Sequence, residues 1–121
     1  MIDHIGLRTK EFASLVSFYG QILAPLGYSK VVQFEDAIGF GRDGKPSLWV
    51  GASDQTSAPL HIAFASPTRE AVDRFHQAAL AAGARDNGKP GLRPDYHPDY
   101  YAAFVIDPMG NNIEAVCHAS G

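Results

Sequence analysis

His4, His61 and Glu114 are the residues whose types and spacing point most directly to chemistry. Two neutral imidazoles and one carboxylate form a facial triad of metal donors. Such a set leaves coordination positions open and suits Fe(II), Mn(II), Zn(II) or Ni(II). Each residue lies in a short apolar run that reads as a strand, where successive side chains alternate faces. In Asp3-His4-Ile5-Gly6-Leu7, Ile5 and Leu7 share one face and His4 and Gly6 the other. In Leu60-His61-Ile62-Ala63-Phe64, Leu60, Ile62 and Phe64 share one face, and His61 and Ala63 the other. The bulky face suits packing under a helix, and the histidine face, with only small neighbours, leaves room for a cavity. Glu114, Val116 and His118 alternate with Ile113, Ala115 and Cys117. A lone carboxylate in so apolar a strand is costly to bury, so it needs a metal or an arginine such as Arg8 or Arg93. For either histidine alone, an ordinary hydrogen-bonded imidazole at a strand edge is the alternative reading.

A second concentration of polar chemistry is Arg93-Pro94-Asp95-Tyr96-His97-Pro98-Asp99-Tyr100-Tyr101. Tyr101 is expected to face the cavity with Ala103 and Val105. With His97 it forms a pair suited to binding an oxyanion or relaying a proton near a metal. Arg93 suits a carboxylate or phosphate. Tyr96, His97 and Tyr100 read equally as a surface loop, a dimer contact or a site lid. Glu114, Tyr101 and His97 are thus the candidate catalytic residues.

The elements that must position these residues occur twice. Asp3–Leu7 aligns with Leu60–Phe64, and at the same spacing Phe18 and Leu23 align with Phe75 and Leu80. A helix follows each histidine strand: Phe12, Leu15, Val16, Tyr19, Ile22, Leu23 and Leu26 recur at helical spacing, as do Val72, Phe75, Ala78, Ala79 and Ala82. Ser66-Pro67 reads as the N-cap and first residue of the second helix, and both helices close near Gly27 and Gly83. Strands are expected at residues 28–35, 37–42 and 47–52, with Asp43-Gly44 as a hairpin turn. In the second half, Tyr101–Ile106 and Asn112–Cys117 read as strands around the turn Asp107-Pro108-Met109-Gly110, while residues 84–99 are too polar and Gly/Pro-rich to place a strand firmly. The order is β-α-β-β-β twice: a first module over residues 1–52, a linker over 53–59 and a second module over 60–121. By the same alignment Leu48-Trp49-Val50 falls on Ile113-Glu114-Ala115, so Trp49 is the counterpart of Glu114. Trp49 suits either core packing or substrate stacking. His76 is expected at the surface of the second helix, and Cys117 reads as a small buried apolar residue.

Composition excludes several partner classes. The 121 residues carry a net charge of −3, with 45% hydrophobic and 19% charged residues. No basic run supports nucleic acid or an anionic membrane as partner. No stretch of roughly 18 apolar residues supports a transmembrane helix. One cysteine excludes an intrachain disulfide and a cysteine-rich zinc site. The N-terminus lacks the pattern of a signal peptide, so a cytoplasmic location is expected.

Over essentially its whole length the chain resembles the glyoxalase, bleomycin-resistance and extradiol-dioxygenase superfamily, the vicinal oxygen chelate proteins. The likeness is carried by Asp3-His4-Ile5-Gly6-Leu7, by Phe18-Tyr19, and most specifically by Asp107-Pro108-Met109-Gly110-Asn111-Asn112-Ile113-Glu114. It implies an α+β fold of two β-α-β-β-β modules forming a cupped, incomplete barrel. It also implies a divalent metal (Zn, Fe, Mn or Ni) on His4, His61 and Glu114. The fourth family position, a carboxylate in glyoxalase I enzymes, falls here on Trp49. Trp49, Arg93 and Tyr101 are then the candidate substrate contacts. A small oxygenated substrate bound by bidentate chelation, and a lyase, isomerase or dioxygenase reaction, are what the likeness implies. A metal-free, drug-binding protein of the bleomycin-resistance type is the alternative. Homodimerisation is also implied.

Overall fold

The computed structural model describes all residues, Met1–Gly121. The chain is α+β and divides into two compact units, Met1–Ala58 and Pro59–Gly121. Each unit holds one four-stranded mixed sheet and one α-helix in the order β-α-β-β-β.

The first unit contains β1 (Ile5–Thr9), α1 (Phe12–Leu23), β2 (Ser29–Gln33), β3 (Ala37–Arg42) and β4 (Lys45–Ala52), in sheet order β1-β4-β3-β2. β1 runs parallel to β4, and the other pairs are antiparallel. Alternation sends Leu7, Ile38, Phe40, Leu48 and Val50 into the core. Leu15, Val16, Phe18, Tyr19, Ile22 and Leu23 of α1 are buried with them.

The helical pattern continues to Leu26, yet α1 ends at Leu23 and Ala24–Leu26 form a 3₁₀ turn. Pro25 is the cause, because it has no amide hydrogen and its ring crowds the preceding turn. Gly27 closes the turn at φ +88° and donates its N–H to Ala24 O. At the β3–β4 turn Asp43 and Gly44 both have positive φ, 55° and 75°, as a tight two-residue hairpin requires.

The second unit contains β5 (His61–Ala65), α2 (Arg69–Ala81), β6 (Arg85–Leu92), β7 (Tyr101–Ile106) and β8 (Asn112–Cys117), in sheet order β5-β8-β7-β6. β5 runs parallel to β8. The stretch too polar to assign from sequence contains a real strand, β6. Its register against β7 shifts at Asp86/Gly88 and again at Gly88/Gly91, and these interruptions erase the period-two pattern.

The start of α2 differs from expectation. Thr68, not Ser66, is the N-cap, with Thr68 Oγ1 accepting from Ala71 N at 3.0 Å. Ser66 Oγ instead donates to Thr68 O, so Ser66 and Pro67 precede the cap. His76, expected at the surface, is buried. It is hydrogen-bonded to Asp86 across 2.9 Å, which ties α2 to β6. That bond is the main reason the Asp86 carboxyl lies below the ordinary carboxylate range. No helix is long and apolar enough to cross a membrane.

Candidate functional site

The second sheet brings His61 and Glu114 together. In the parallel register His61 lies opposite Asn112, and Ala63 lies opposite Glu114. Ile62 and Ile113 are buried, while His61 and Ala63 are exposed on the alternate side of β5. His61 Nε2 donates to Glu114 Oε1 at 2.8 Å. The imidazole is half open to solvent, with 54% of its side chain exposed, whereas Glu114 is 1% exposed. Tyr100 donates its phenol to the other carboxylate oxygen, Oε2. Phe104 stands directly opposite Glu114 on β7, with its ring 6.2 Å from that of His61. The buried carboxylate therefore has a donor on each oxygen, which offsets the cost of removing it from water. Burial, and then the bond to Glu114, push the Tyr100 phenol up to about 12.

The Asp107–Asn111 turn sets this geometry. Asp107 Oδ1 accepts from Met109 N at 2.8 Å and Asn111 N at 2.9 Å, and Oδ2 accepts from Asn111 Nδ2 at 2.8 Å. Asn111 Oδ1 in turn accepts from Leu60 N at 2.8 Å, and Asn112 N donates to Leu60 O at 2.9 Å. This buried polar turn clamps the start of β5 to the start of β8. A one-residue slip there would turn His61 and Glu114 to opposite faces.

The 93–100 segment delivers Tyr100 to Glu114. Arg93 N donates to Tyr100 O at 2.7 Å and Tyr100 N to His97 O at 3.1 Å. His97 Nε2 lies 2.7 Å from His118 Nδ1. The ring of Tyr100 meets those of His97 and His118 edge-on at 5.4 and 5.3 Å. Asp99 reaches Arg69 of α2 at 3.7 Å.

Two expected roles change here. Tyr101 does not face the side occupied by Glu114: its phenol donates to Asp73 Oδ1 of α2 at 2.6 Å, and Arg69 lies over its ring. The alternation of β7 puts Tyr101, Ala103 and Val105 beneath the helix, so the tyrosine at the carboxylate is Tyr100. Arg93 does not pair with Glu114 either. Its guanidinium donates to Lys89 O at 2.7 Å and Gly91 O at 2.9 Å and stacks over Phe104.

In the first unit, His4 precedes β1 and its side chain is 56% exposed. Its Nδ1 lies 2.8 Å from Asp3 Oδ1, and Lys45 Nζ lies 2.6 Å from Asp3 Oδ2. Those hydrogen bonds, Lys45 first, hold the Asp3 carboxyl down at about 2. Trp49 is half-buried and lies in register with Gly6 and Gly39, stacked on Phe34 at 6.1 Å. It occupies in this sheet the register position that Glu114 occupies in the other.

Residues 1–115 match the family model of the Glyoxalase/Bleomycin resistance protein/Dioxygenase superfamily. The chain belongs to that superfamily. Solved structures share the fold. A glyoxalase/bleomycin resistance protein from Albidiferax ferrireducens T118 is 23% identical, with 95% of this chain and 97% of that one covered and a TM-score of 0.84. A putative glyoxalase from Bacillus halodurans is 23% identical, with 97% and 95% covered and a TM-score of 0.72. The lactoylglutathione lyase from Agrobacterium tumefaciens is 16% identical, with 97% and 92% covered and a TM-score of 0.69. No curated protein matches the chain.

A divalent metal is common in this superfamily, and the residues present fit one in part. The 2.8 Å between His61 Nε2 and Glu114 Oε1 is close to the roughly 3 Å that separates neighbouring ligands of one cation bound at about 2.1 Å. No group of three or more His, Cys, Asp or Glu side chains that could hold a metal ion is present. Tyr100 is the residue that sequence reasoning underrated, having left it as one of several loop tyrosines. Its only signal is that it precedes β7 by one residue, on the opposite alternation from Tyr101.

Proposed function

We propose that this superfamily member is an enzyme acting on a small oxygenated substrate at the open face of its second sheet, with His61 and Glu114 as the paired donors for a divalent cation. One observation carries the reading: a carboxylate almost fully removed from solvent is held between an imidazole and a phenol, and that imidazole is half exposed. A bound divalent cation would supply Lewis-acid polarisation of the substrate's oxygens. The remaining roles belong to the chain itself. His61 and Tyr100 fix the plane of the Glu114 carboxylate. Tyr100 keeps its proton on the phenol oxygen up to about pH 12 and so donates throughout the working range. Phe104 stands beside the carboxylate on the neighbouring strand. His4, the third donor in the sequence-based set, remains part of the proposal and has its own variant below. A homodimer, checked by light scattering on a sizing column, belongs to the same reading.

The test is metal analysis of untagged protein beside His61→Ala, Glu114→Gln and His4→Ala, followed by turnover assays. The assays use the methylglyoxal–glutathione hemithioacetal, suggested by the lyase named among the structural neighbours, and catechols. Loss of metal is expected in all three variants. Equal metal in wild type, His61→Ala and Glu114→Gln would sink the assignment. A second reading, a metal-free small-molecule binder, is favoured by the lack of a three-donor group. Ligand binding that survives a chelator would select it.

A further inference from the structure

The His97–His118 pair lies outside the metal-donor set and has a fixed hydrogen-bond direction. Asp99 N donates to His97 Nδ1 at 3.1 Å, so that nitrogen carries a lone pair. Neutral His97 then bears its hydrogen on Nε2, the atom 2.7 Å from His118 Nδ1. His118 Nδ1 must therefore accept. Any added proton breaks one of these two bonds. Placed on His118 Nδ1, it faces the N–H of His97. Placed on His97 Nδ1, it faces the N–H of Asp99.

The pair joins the segment at residues 93–100 to the residue just after β8. Two further bonds complete the closure, Arg93 N to Tyr100 O and Tyr100 N to His97 O, and the segment delivers Tyr100 to Glu114. Around the pair stand the Tyr96 and Tyr100 rings, Arg93 and Asp99 of the segment, Arg69 of α2, which takes the Asp99 carboxylate, and Glu114 of β8, which Tyr100 reaches. No carboxylate is hydrogen-bonded to either ring.

We propose that residues 93–100 form a strap that seats Tyr100 on Glu114, and that the His97–His118 hydrogen bond is its pH-sensitive latch. With both rings neutral the latch is closed. A proton added to either ring breaks one of these bonds, so the latch opens and Tyr100 loses its fixed seat. The consequence for turnover rests on the reading of Glu114 as the centre of the site, but the latch itself does not.

Amide hydrogen exchange at Asp99 and Arg93, corrected for the intrinsic effect of pH, tests it on the full chain. Exchange is expected to be about threefold to tenfold faster at pH 5.5 than at pH 7.5, the worth of one hydrogen bond. His118→Ala and His118→Phe, at an exposed position beyond the last strand, should exchange at the fast rate at Arg93 at both pH values. Equal protection of the wild type at both pH values overturns the latch, as does a pH dependence at Arg93 that persists in both variants. The readout needs neither metal nor substrate. Failure of the latch therefore leaves the Glu114 assignment standing, and unchanged metal content in Glu114→Gln leaves the latch standing.

Discussion

Gly6, Trp49 and Gly39 lie side by side across β1, β4 and β3, and Ala63, Glu114 and Phe104 lie side by side across β5, β8 and β7. The two rows occupy equivalent positions in two sheets of the same topology. In the first, a large indole fills the centre and crowds one neighbour: a Cβ on Gly39 would stand 3.2 Å from the Trp49 ring and 2.8 Å from Pro46 Cβ, whereas one on Gly6 would meet nothing within 4 Å. In the second, the centre is a carboxylate, so its surroundings supply donors, with His61 on one oxygen and Tyr100 on the other. A duplicated backbone fixes where a side chain stands. The residue at the centre then dictates what its neighbours must be. One row is a flat aromatic platform and the other a charged group held ready.

The sharpest way to break the comparison is Glu114→Gln, which keeps the shape of the second row and removes its charge. Metal content should fall to background and any turnover by about a hundredfold or more, as expected when the cation that polarises the substrate is lost. Next in size is Asn111→Ala, which removes the clamp that the second row depends on. Urea denaturation should show a loss of about 2 kcal/mol, because the side-chain hydrogen bonds to Leu60 N and Asp107 Oδ2 are removed at about 1 kcal/mol each. Gly39→Ala tests the packing of the first row and should cost about 1–2 kcal/mol while leaving metal content unchanged.

The smallest effect is that of Tyr100→Phe. The phenol is raised from the ordinary value of 10.0 to about 12. The stabilisation it brings is therefore complete below pH 10 and is lost as pH climbs towards 12. Ultraviolet titration should resolve one late-ionising tyrosine near pH 12 that disappears in the variant. The stability gap between wild type and variant, about 1 kcal/mol at neutral pH, should close over that interval.

Much of this was legible in the sequence. The repeat, the two helices, the hairpin at Asp43-Gly44 and the faces of β5 and β8 follow from period and turn chemistry, and all are present in the structure. The equivalence of Trp49 and Glu114 followed from alignment alone, and the strand registers agree with it. What escaped depends on contacts that periodicity does not encode. β6 is broken by two register shifts, so it shows no alternation. His76 looked like a surface helix residue because its partner, Asp86, lies on that same unreadable strand. Tyr101 and Tyr100 differ by one position, and only the true start of β7 tells which one meets the carboxylate. The D-P-x-G-N motif was the strongest sign of kinship. Its first and last residues prove to be fasteners between strands, and the glutamate three positions beyond is the carboxylate that His61 and Tyr100 hold.

The clamp between Leu60 and Asn111 joins residues 51 apart in the chain. Parallel neighbours of this kind cannot pair until the whole crossover between them has been made, and such distant contacts form late and slowly. A chain growing from its N-terminus has His61, the strap and the helix long before it has Glu114. The buried carboxylate and its two donors are therefore assembled in the closing step of the second unit's folding, and the His61–Glu114 bond is a marker that the unit is complete.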